Sequence, residues 1–169
     1  MRKAVIDLGT NTFHLFIVEI HNGNINTLYK EKIAVKIGQN GISKGKIAKD
    51  AVKRAIHTLQ IFKTIIDQFQ VTDVSGVATS AIRNAKNGKD LIDEIAEKTG
   101  IHINIISGDL EAELIFEGVK AATTLSNENQ LVMDIGGGSV EFIIGNKEAI
   151  HWKRSFEIGA QRLLDKFHK

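Results

Sequence analysis

Asp134-Ile135-Gly136-Gly137-Gly138-Ser139-Val140-Glu141-Phe142 is the stretch that decides the predicted fold of this chain. Apolar runs precede and follow its glycines, at residues 131–133 and 142–144, which predicts two strands joined by a tight turn. Because glycine carries no Cβ, several backbone N–H groups of the turn can point at one anion such as a phosphate. Asp134 lies at the mouth of the turn, where its carboxylate could hold a divalent cation. An ordinary glycine-rich hairpin has the same pattern, so the motif alone leaves both interpretations open.

The same pattern occurs near the start of the chain. Residues 7–17, Asp-Leu-Gly-Thr-Asn-Thr-Phe-His-Leu-Phe-Ile, align without gaps on residues 134–144. An internal repeat with this separation predicts two related domains that face each other. We therefore predict that Asp7 and Asp134 face one metal–phosphate site, and that the two turns hold one phosphorylated ligand from both sides.

Composition limits the classes of function. A length of 169 residues suits one domain or one and a part, and a net charge of +2 does not favour a specific nucleic-acid partner. The absence of cysteine excludes disulfides, thiol catalysis and cysteine zinc sites. The sequence shows no apolar segment long enough to span a membrane and no secretory signal pattern. We therefore expect a cytoplasmic protein without a membrane partner.

The order of predicted elements is that of an α/β protein. In the first part of the chain we expect strands at 3–7, 13–20 and 25–37, a helix at 47–69, a strand at 73–79, a helix at 88–99 and a strand at 101–106. After residue 131 the strand–strand–strand–helix order begins again, with a third strand at 148–153 and a helix at 157–167. The chain is therefore predicted to contain one domain, residues 1–126, and the beginning of a second, residues 127–169.

Two charged side chains lie at predicted strand ends, where open α/β sheets place their ligands. Arg83 follows the strand at 73–79, and its guanidinium could bind phosphate oxygens or pair with a nearby acid. Glu111 falls in the first turn of a predicted helix, where it could orient a water for attack on phosphorus or simply stabilise the helix. Acids of the same type occur nearby, at Asp109, Glu113 and Glu117.

Four stretches, residues 7–15, 78–85, 106–119 and 134–141, occur in an order that is typical of one enzyme family. Together they resemble the exopolyphosphatase and guanosine pentaphosphate phosphohydrolase (Ppx/GppA) family, within the superfamily of acetate kinases, sugar kinases, chaperone ATPases and actin. Thr10 and Thr12 stand where serine is usual, and both keep the hydroxyl. The resemblance implies a ribonuclease H-like (actin-like ATPase) domain, with a mixed β-sheet flanked by helices, plus the start of a second, duplicated copy.

The resemblance also implies an enzyme that hydrolyses the terminal phosphate of inorganic polyphosphate or of guanosine pentaphosphate, with Mg²⁺ as cofactor. Glu111 matches the family's water-activating residue. Asp134 and Glu141 match acids required for metal binding and catalysis, and Asp7 is a further acid on the metal side. The implied phosphate-binding residues are Gly9, Thr10, Asn11, Thr12, Arg83, Gly136, Gly137, Gly138 and Ser139.

Two other functions use the same residues. A kinase of this superfamily would bind ATP at the two turns, although the segment around Glu111 argues against it. A non-catalytic module would bind polyphosphate or an alarmone without turnover. Family members also continue through the rest of the second domain, so for this shorter sequence we expect an uncovered sheet edge, self-association or a homodimer, and slow turnover or none.

Overall fold

The computed structural model describes residues 1–168, and the larger of its two β-sheets has five strands in the order β3-β2-β1-β4-β5. These strands are β1 (Arg2–Leu8), β2 (Phe13–His21), β3 (Asn24–Ile33), β4 (Asp73–Ala78) and β5 (Ile103–Ile105). The first three pair antiparallel, and β4 and β5 join β1 in parallel. The predicted mixed sheet is therefore confirmed.

Helices connect the parallel strands and cover the sheet. They are α1 (Lys49–Gln68), α2 (Ser80–Arg83) and α3 (Gly88–Thr99). α1 presents a buried face that includes Leu59 and Phe62, both fully buried in the main core, because apolar residues recur at helical spacing. α3 ends at Gly100 as predicted, since that glycine adopts φ +70°, a left-handed conformation that stops a helix. Among the helices described, none is both long and apolar enough to cross a membrane.

The second sheet has three antiparallel strands and is covered on one face by a helix from the preceding part of the chain. Its strands are β6 (Gln130–Ile135), β7 (Val140–Gly145) and β8 (Ile150–Phe156). The covering helix is α4 (Gly108–Ala122), and its Ala112 and Phe116 form a small core with Ile143 of β7. The last helix, α5 (Ala160–Phe167), follows β8. The strand–strand–strand–helix order of the N-terminal segment is thus present a second time.

Three predicted boundaries were wrong by three residues or more, each for a long-range reason. The third strand ends at Ile33 rather than at residue 37, because Ile33 pairs with Phe13, the first residue of β2, and beyond it the chain bonds to the turn at residues 9–12 instead of to a strand. The following loop contains a 3₁₀ turn, Ile42–Lys44, that the pattern did not predict. The strand predicted at 148–153 ends at Phe156, because β8 stays paired with β7 that far. The last helix therefore begins at Ala160 rather than at residue 157.

The face of the second sheet opposite α4 carries exposed apolar side chains. They are Leu131 and Met133 of β6, Ile144 of β7, and Trp152 and Phe156 of β8, and they surround the half-buried Phe142 of β7. Arg154 lies on the same face, over the ring of Phe156. Leu131 is 63% exposed and Trp152 is 44% exposed. No element within residues 1–168 covers this face, and a continuous apolar patch of this kind favours association.

We expect the chain to self-associate through this face, and we expect Trp152→Lys to weaken the association by replacing a large apolar side chain of the face with a charged one. Sedimentation velocity across a range of protein concentrations would measure both. His151→Lys is the matched control, because His151 is the exposed neighbour of Trp152 and does not line the apolar face. A wild-type chain that stays monomeric at every concentration, or a Trp152→Lys chain that associates equally well, would contradict this expectation.

Candidate active site

A cleft of ≈ 510 Å³ lies where the two glycine-containing turns meet. Residues 9–12 connect β1 to β2, and residues 136–139 connect β6 to β7. Each turn is closed by the same backbone hydrogen bond: the Gly9 N–H donates to the Thr12 carbonyl over 3.1 Å, and the Gly136 N–H donates to the Ser139 carbonyl over 3.0 Å. The internal repeat seen in the sequence is therefore also a repeat of backbone geometry.

The two turns approach each other so closely that only glycine fits at the contact. A Cβ on Gly137 would lie 2.9 Å from Nδ2 of Asn11, and a Cβ on Gly138 would lie 2.6 Å from Oγ1 of Thr10 and 2.5 Å from Oγ of Ser80. A side chain at either position would displace Asn11, Thr10 or Ser80 or widen the contact between the two turns.

Most of the predicted site residues line this cleft. They are Asp7, Gly9, Thr10, Asn11, Thr12, Glu111, Asp134, Gly136, Gly137, Gly138 and Ser139. Arg83 and Glu141 do not line it. The acids that competed with Glu111 in the sequence, Asp109, Glu113 and Glu117, also lie outside it, and Glu113 instead pairs with Lys153 of β8. Of these four acids, therefore, only Glu111 lines the cleft.

Strand register places a row of polar side chains across each sheet at the level of the cleft. In the first sheet Asp7 pairs with His14, and His14 pairs with Lys32. The corresponding row in the second sheet is Asp134, Glu141 and Ser155. Because directly paired residues point to the same face, each row acts as a unit, with one carboxylate and two basic groups on the first sheet and two carboxylates and a hydroxyl on the second.

Asp7 and Asp134 have the properties of a site for a hard divalent cation. Oδ1 of Asp7 is buried and has no hydrogen-bond partner within residues 1–168. Burial raises the pKa of Asp7; the nearby His14 lowers it, and the negative charge of Asp134 raises it further. Within the same residues no group of three or more His, Cys, Asp or Glu side chains forms a metal site. Two carboxylates completed by phosphate oxygens and water are a normal Mg²⁺ environment, so the donor set fits this ion.

Glu111 enters the cleft from the first turn of α4, as predicted. The Ser107 side chain caps this helix by accepting a hydrogen bond from the Leu110 N–H over 3.2 Å. Nη1 of Arg83 donates to Oε2 of Glu111 over 2.8 Å. Burial raises the pKa of Glu111 to about 7; Arg83 opposes the rise, and the negative charges of Glu141 and Asp7 add to it. A carboxyl with a pKa near neutrality is suited to accept a proton.

Arg83 and Glu141 lie behind the cleft. Arg83 donates to the Ile106 carbonyl over 3.1 Å and to Oε1 of Glu157 over 3.3 Å, in addition to its bond with Glu111. Glu141 is 1% exposed, and its Oε1 accepts a hydrogen bond from the Ser155 hydroxyl over 2.6 Å. Neither side chain lines the cleft, and their roles in phosphate and metal binding stay predictions.

Sequence reasoning missed two basic residues of the cleft, Lys32 and His14. Among the cleft-lining residues within 1–168, Lys32 is the only Lys or Arg, and it has no ion-pair partner there. Nε2 of His14 lies 3.0 Å from Oγ1 of Thr12. The repeat contained a signal for His14, because the alignment places it on Glu141. Lys32 had no such signal, since the register of β3 decides its position.

The family assignment follows from comparison with known proteins. The model of the Ppx/GppA phosphatase family matches residues 16–169, which is most of the chain. The chain belongs to the Ppx/GppA phosphatase family. Its two facing sheets have the actin-like ATPase fold that the resemblance implied.

Solved relatives reproduce the whole described architecture of this Ppx/GppA chain. An exopolyphosphatase from Cytophaga hutchinsonii matches with a TM-score of 0.98 and 52% identity, over 99% of this chain and 54% of that one. The Ppx/GppA family member of Aquifex aeolicus matches with a TM-score of 0.80 and 28% identity, over 100% of this chain and 55% of that one. The chain thus spans about half the length of these relatives.

One curated relative is a much longer protein. The bifunctional 3-dehydroquinate synthase/phosphatase of Fusobacterium nucleatum is 38% identical over 174 residues, covering 98% of this Ppx/GppA chain and 26% of that protein. The sequence therefore also matches part of a much longer, bifunctional protein.

Proposed function

We propose that this Ppx/GppA chain provides the catalytic cleft of a magnesium-dependent phosphoanhydride hydrolase. Its substrate would be inorganic polyphosphate or guanosine pentaphosphate, from which it releases the terminal phosphate. The observation that carries the proposal is the position of Glu111, which lines the same cleft as the two glycine turns and the two aspartates. Membership of a phosphatase family and the likeness to a solved exopolyphosphatase support the same reaction class.

The two turns would hold the terminal phosphate. Their backbone N–H groups and the hydroxyls of Thr12 and Ser139 lie around the cleft and can donate to phosphate oxygens. Lys32 would neutralise part of the negative charge of the next phosphates, because its side chain lines the cleft and has no acid partner within residues 1–168. This arrangement positions the substrate without any covalent bond to the protein.

Asp7 and Asp134 would hold Mg²⁺, and the bound ion would neutralise charge on the phosphate oxygens. The unpartnered Oδ1 of Asp7 supports this assignment, because a buried carboxylate oxygen without a hydrogen bond is costly unless a cation or a water occupies its place. Glu141 of β7 is the cross-strand partner of Asp134, and its charge contributes to the negative potential of this side of the cleft.

Glu111 would act as the general base. Its carboxylate takes a proton from a water, the water oxygen bonds to the terminal phosphorus, and the anhydride P–O bond breaks. The electron pair of that bond stays with the leaving phosphate chain, which is shortened by one unit, and orthophosphate is released. Phosphoryl transfer depends mainly on positioning and charge neutralisation, so these groups are sufficient for the reaction.

A phosphate-release assay tests the proposal directly. We expect slow release of orthophosphate from polyphosphate, from guanosine pentaphosphate or from both when Mg²⁺ is present, and none when it is chelated. Release in the absence of an acceptor distinguishes a hydrolase from a kinase. Binding of both ligands by calorimetry without any release would instead support a non-catalytic binding module and overturn the proposal.

The pH dependence of the reaction should report the ionisation of Glu111. Because a general base must be ionised, we expect kcat/KM to increase as the pH rises through about 7, the pKa of Glu111. Initial rates at saturating Mg²⁺ between pH 5 and pH 9, a range of about two units on either side, would measure it. A flat profile, or one whose midpoint lies near the ordinary glutamate value, would assign the base to another residue.

A further inference from the structure

Glu157, in the short segment between β8 and α5, joins the two halves of the cleft from behind. Its Oε2 accepts hydrogen bonds from the Ser80 hydroxyl over 2.7 Å and from Nη2 of Arg162 over 2.6 Å. Its Oε1 accepts from Nη2 of Arg83 over 3.3 Å. Ser80 and Arg83 belong to α2 beside the first sheet, whereas Arg162 belongs to α5 after the second. One carboxylate therefore contacts both halves of the repeat.

Each of the two arginines that bind Glu157 also contacts a part of the proposed catalytic site. Arg83 donates through Nη1 to Oε2 of Glu111 over 2.8 Å. Arg162 donates through Nε to the Gly138 carbonyl over 2.9 Å, in the glycine turn. Glu157 is thus linked through Arg83 to the proposed general base and through Arg162 to the phosphate-binding turn.

The planar guanidinium of Arg83 has its orientation fixed by contacts at both of its terminal nitrogens. Arg83 has a carboxylate at each of its two terminal nitrogens, and only 16% of its side chain is exposed. A guanidinium held at both terminal nitrogens has one orientation. Without Glu157, Arg83 would be held only at Nη1, by the Ile106 carbonyl and Glu111, and its plane could turn about that nitrogen. Removing the Glu157 charge would also free Nη2 of Arg83, which could then turn toward an anion in the cleft.

We propose that Glu157 is a positioning residue for phosphoanhydride hydrolysis, which orients the Glu111 carboxylate through Arg83 and the glycine turn through Arg162. The inference rests on the proposed function, because it takes Glu111 as the base and concerns only the orientation of its carboxylate. It predicts an effect on turnover from a residue that does not line the cleft. Glu157→Gln is the informative change, because it keeps the volume and one acceptor oxygen but removes the charge that holds two arginines.

We expect Glu157→Gln to lower kcat by about 10- to 100-fold, the range found when a group that supports a functional site is removed, and to change KM by less than about twofold. Glu97→Gln is the matched control, because Glu97 is exposed on α3 and has no side-chain partner within residues 1–168. A structural role alone would lower the melting temperature and leave the kcat of the folded fraction unchanged. An unchanged kcat in Glu157→Gln would overturn the inference.

A second measurement keeps the inference separate from the proposed function. The side-chain Nη signals of Arg83 in ¹⁵N NMR report whether its guanidinium is held or rotates, and they need no turnover. We expect separate, slowly exchanging signals in the wild-type chain and averaged signals in Glu157→Gln. If the wild-type chain releases no phosphate, the proposed function fails, and the Arg83 spectra still decide whether Glu157 holds Arg83. Identical spectra for the two chains would overturn the inference.

Discussion

Replacing Glu111 with Gln should reduce kcat for phosphate release by about 10²–10⁴-fold, the usual contribution of a general base. The amide keeps the shape of the side chain, but it cannot accept the proton of the attacking water. Binding of polyphosphate should be nearly unchanged, because Glu111 is an acid and offers a bound phosphate no attraction. Steady-state kinetics and calorimetric titration with polyphosphate would together measure both effects.

Glu113→Gln is the matched control for this experiment. Glu113 lies two residues further along α4 and pairs with Lys153 outside the cleft, so its loss should leave kcat unchanged. The Glu111→Gln chain should also lose the rise in rate near pH 7, because the titrating group is gone. Turnover by Glu111→Gln at the wild-type rate, or an equal loss in Glu113→Gln, would move the role of general base to another residue.

Replacing Asp134 with Asn should raise the Mg²⁺ concentration needed for half-maximal activity by at least about tenfold, since losing even a supporting group of a metal site costs that much. The amide keeps the size of the side chain and loses the negative charge that makes a carboxylate a strong Mg²⁺ ligand. Part of the activity should return at high Mg²⁺, because Asp7 remains. Rates over a Mg²⁺ series, and calorimetric titration with Mg²⁺ alone, would measure the change.

Asp109→Asn is the matched control for the metal experiment, because Asp109 is exposed at the start of α4 and lies outside the cleft. Its Mg²⁺ dependence should equal that of the wild-type chain. Normal hydrolysis by Asp134→Asn at limiting Mg²⁺ would show that Asp134 is not a metal ligand. An unaltered melting temperature in both variants would confirm that the comparison concerns the site and not the fold.

Local sequence patterns predicted the parts of the fold that depend on neighbouring residues. Each glycine turn is closed by a hydrogen bond between residues three positions apart, so the residue types within the turn are enough to form it. α3 has helical spacing and a glycine stop within one short segment, and its bounds, Gly88–Thr99, are those predicted. The sequence also showed that the two turns are copies of each other, which predicted that they face one ligand.

Contacts between distant segments could not be predicted in the same way. Arg83 follows a strand end, as a phosphate-binding arginine would, yet it lies between Glu111, 28 residues away, and Glu157, 74 residues away. No pattern within the α2 segment distinguishes this arrangement from a side chain that faces the cleft. The two carboxylates in the folded chain hold its guanidinium behind the cleft.

The sequence by itself determined the two hairpin turns, the acids at their mouths and the identity of the family, because these depend on short-range patterns and on their order along the chain. Only the tertiary structure decided which charged side chains meet in the cleft. The register of β3 brings Lys32 beside His14, and the packing of α4 on the second sheet places Glu111 in the same cleft as Asp134. Register and packing are set by burial of apolar faces over the whole chain, so residue type at one position does not reveal them.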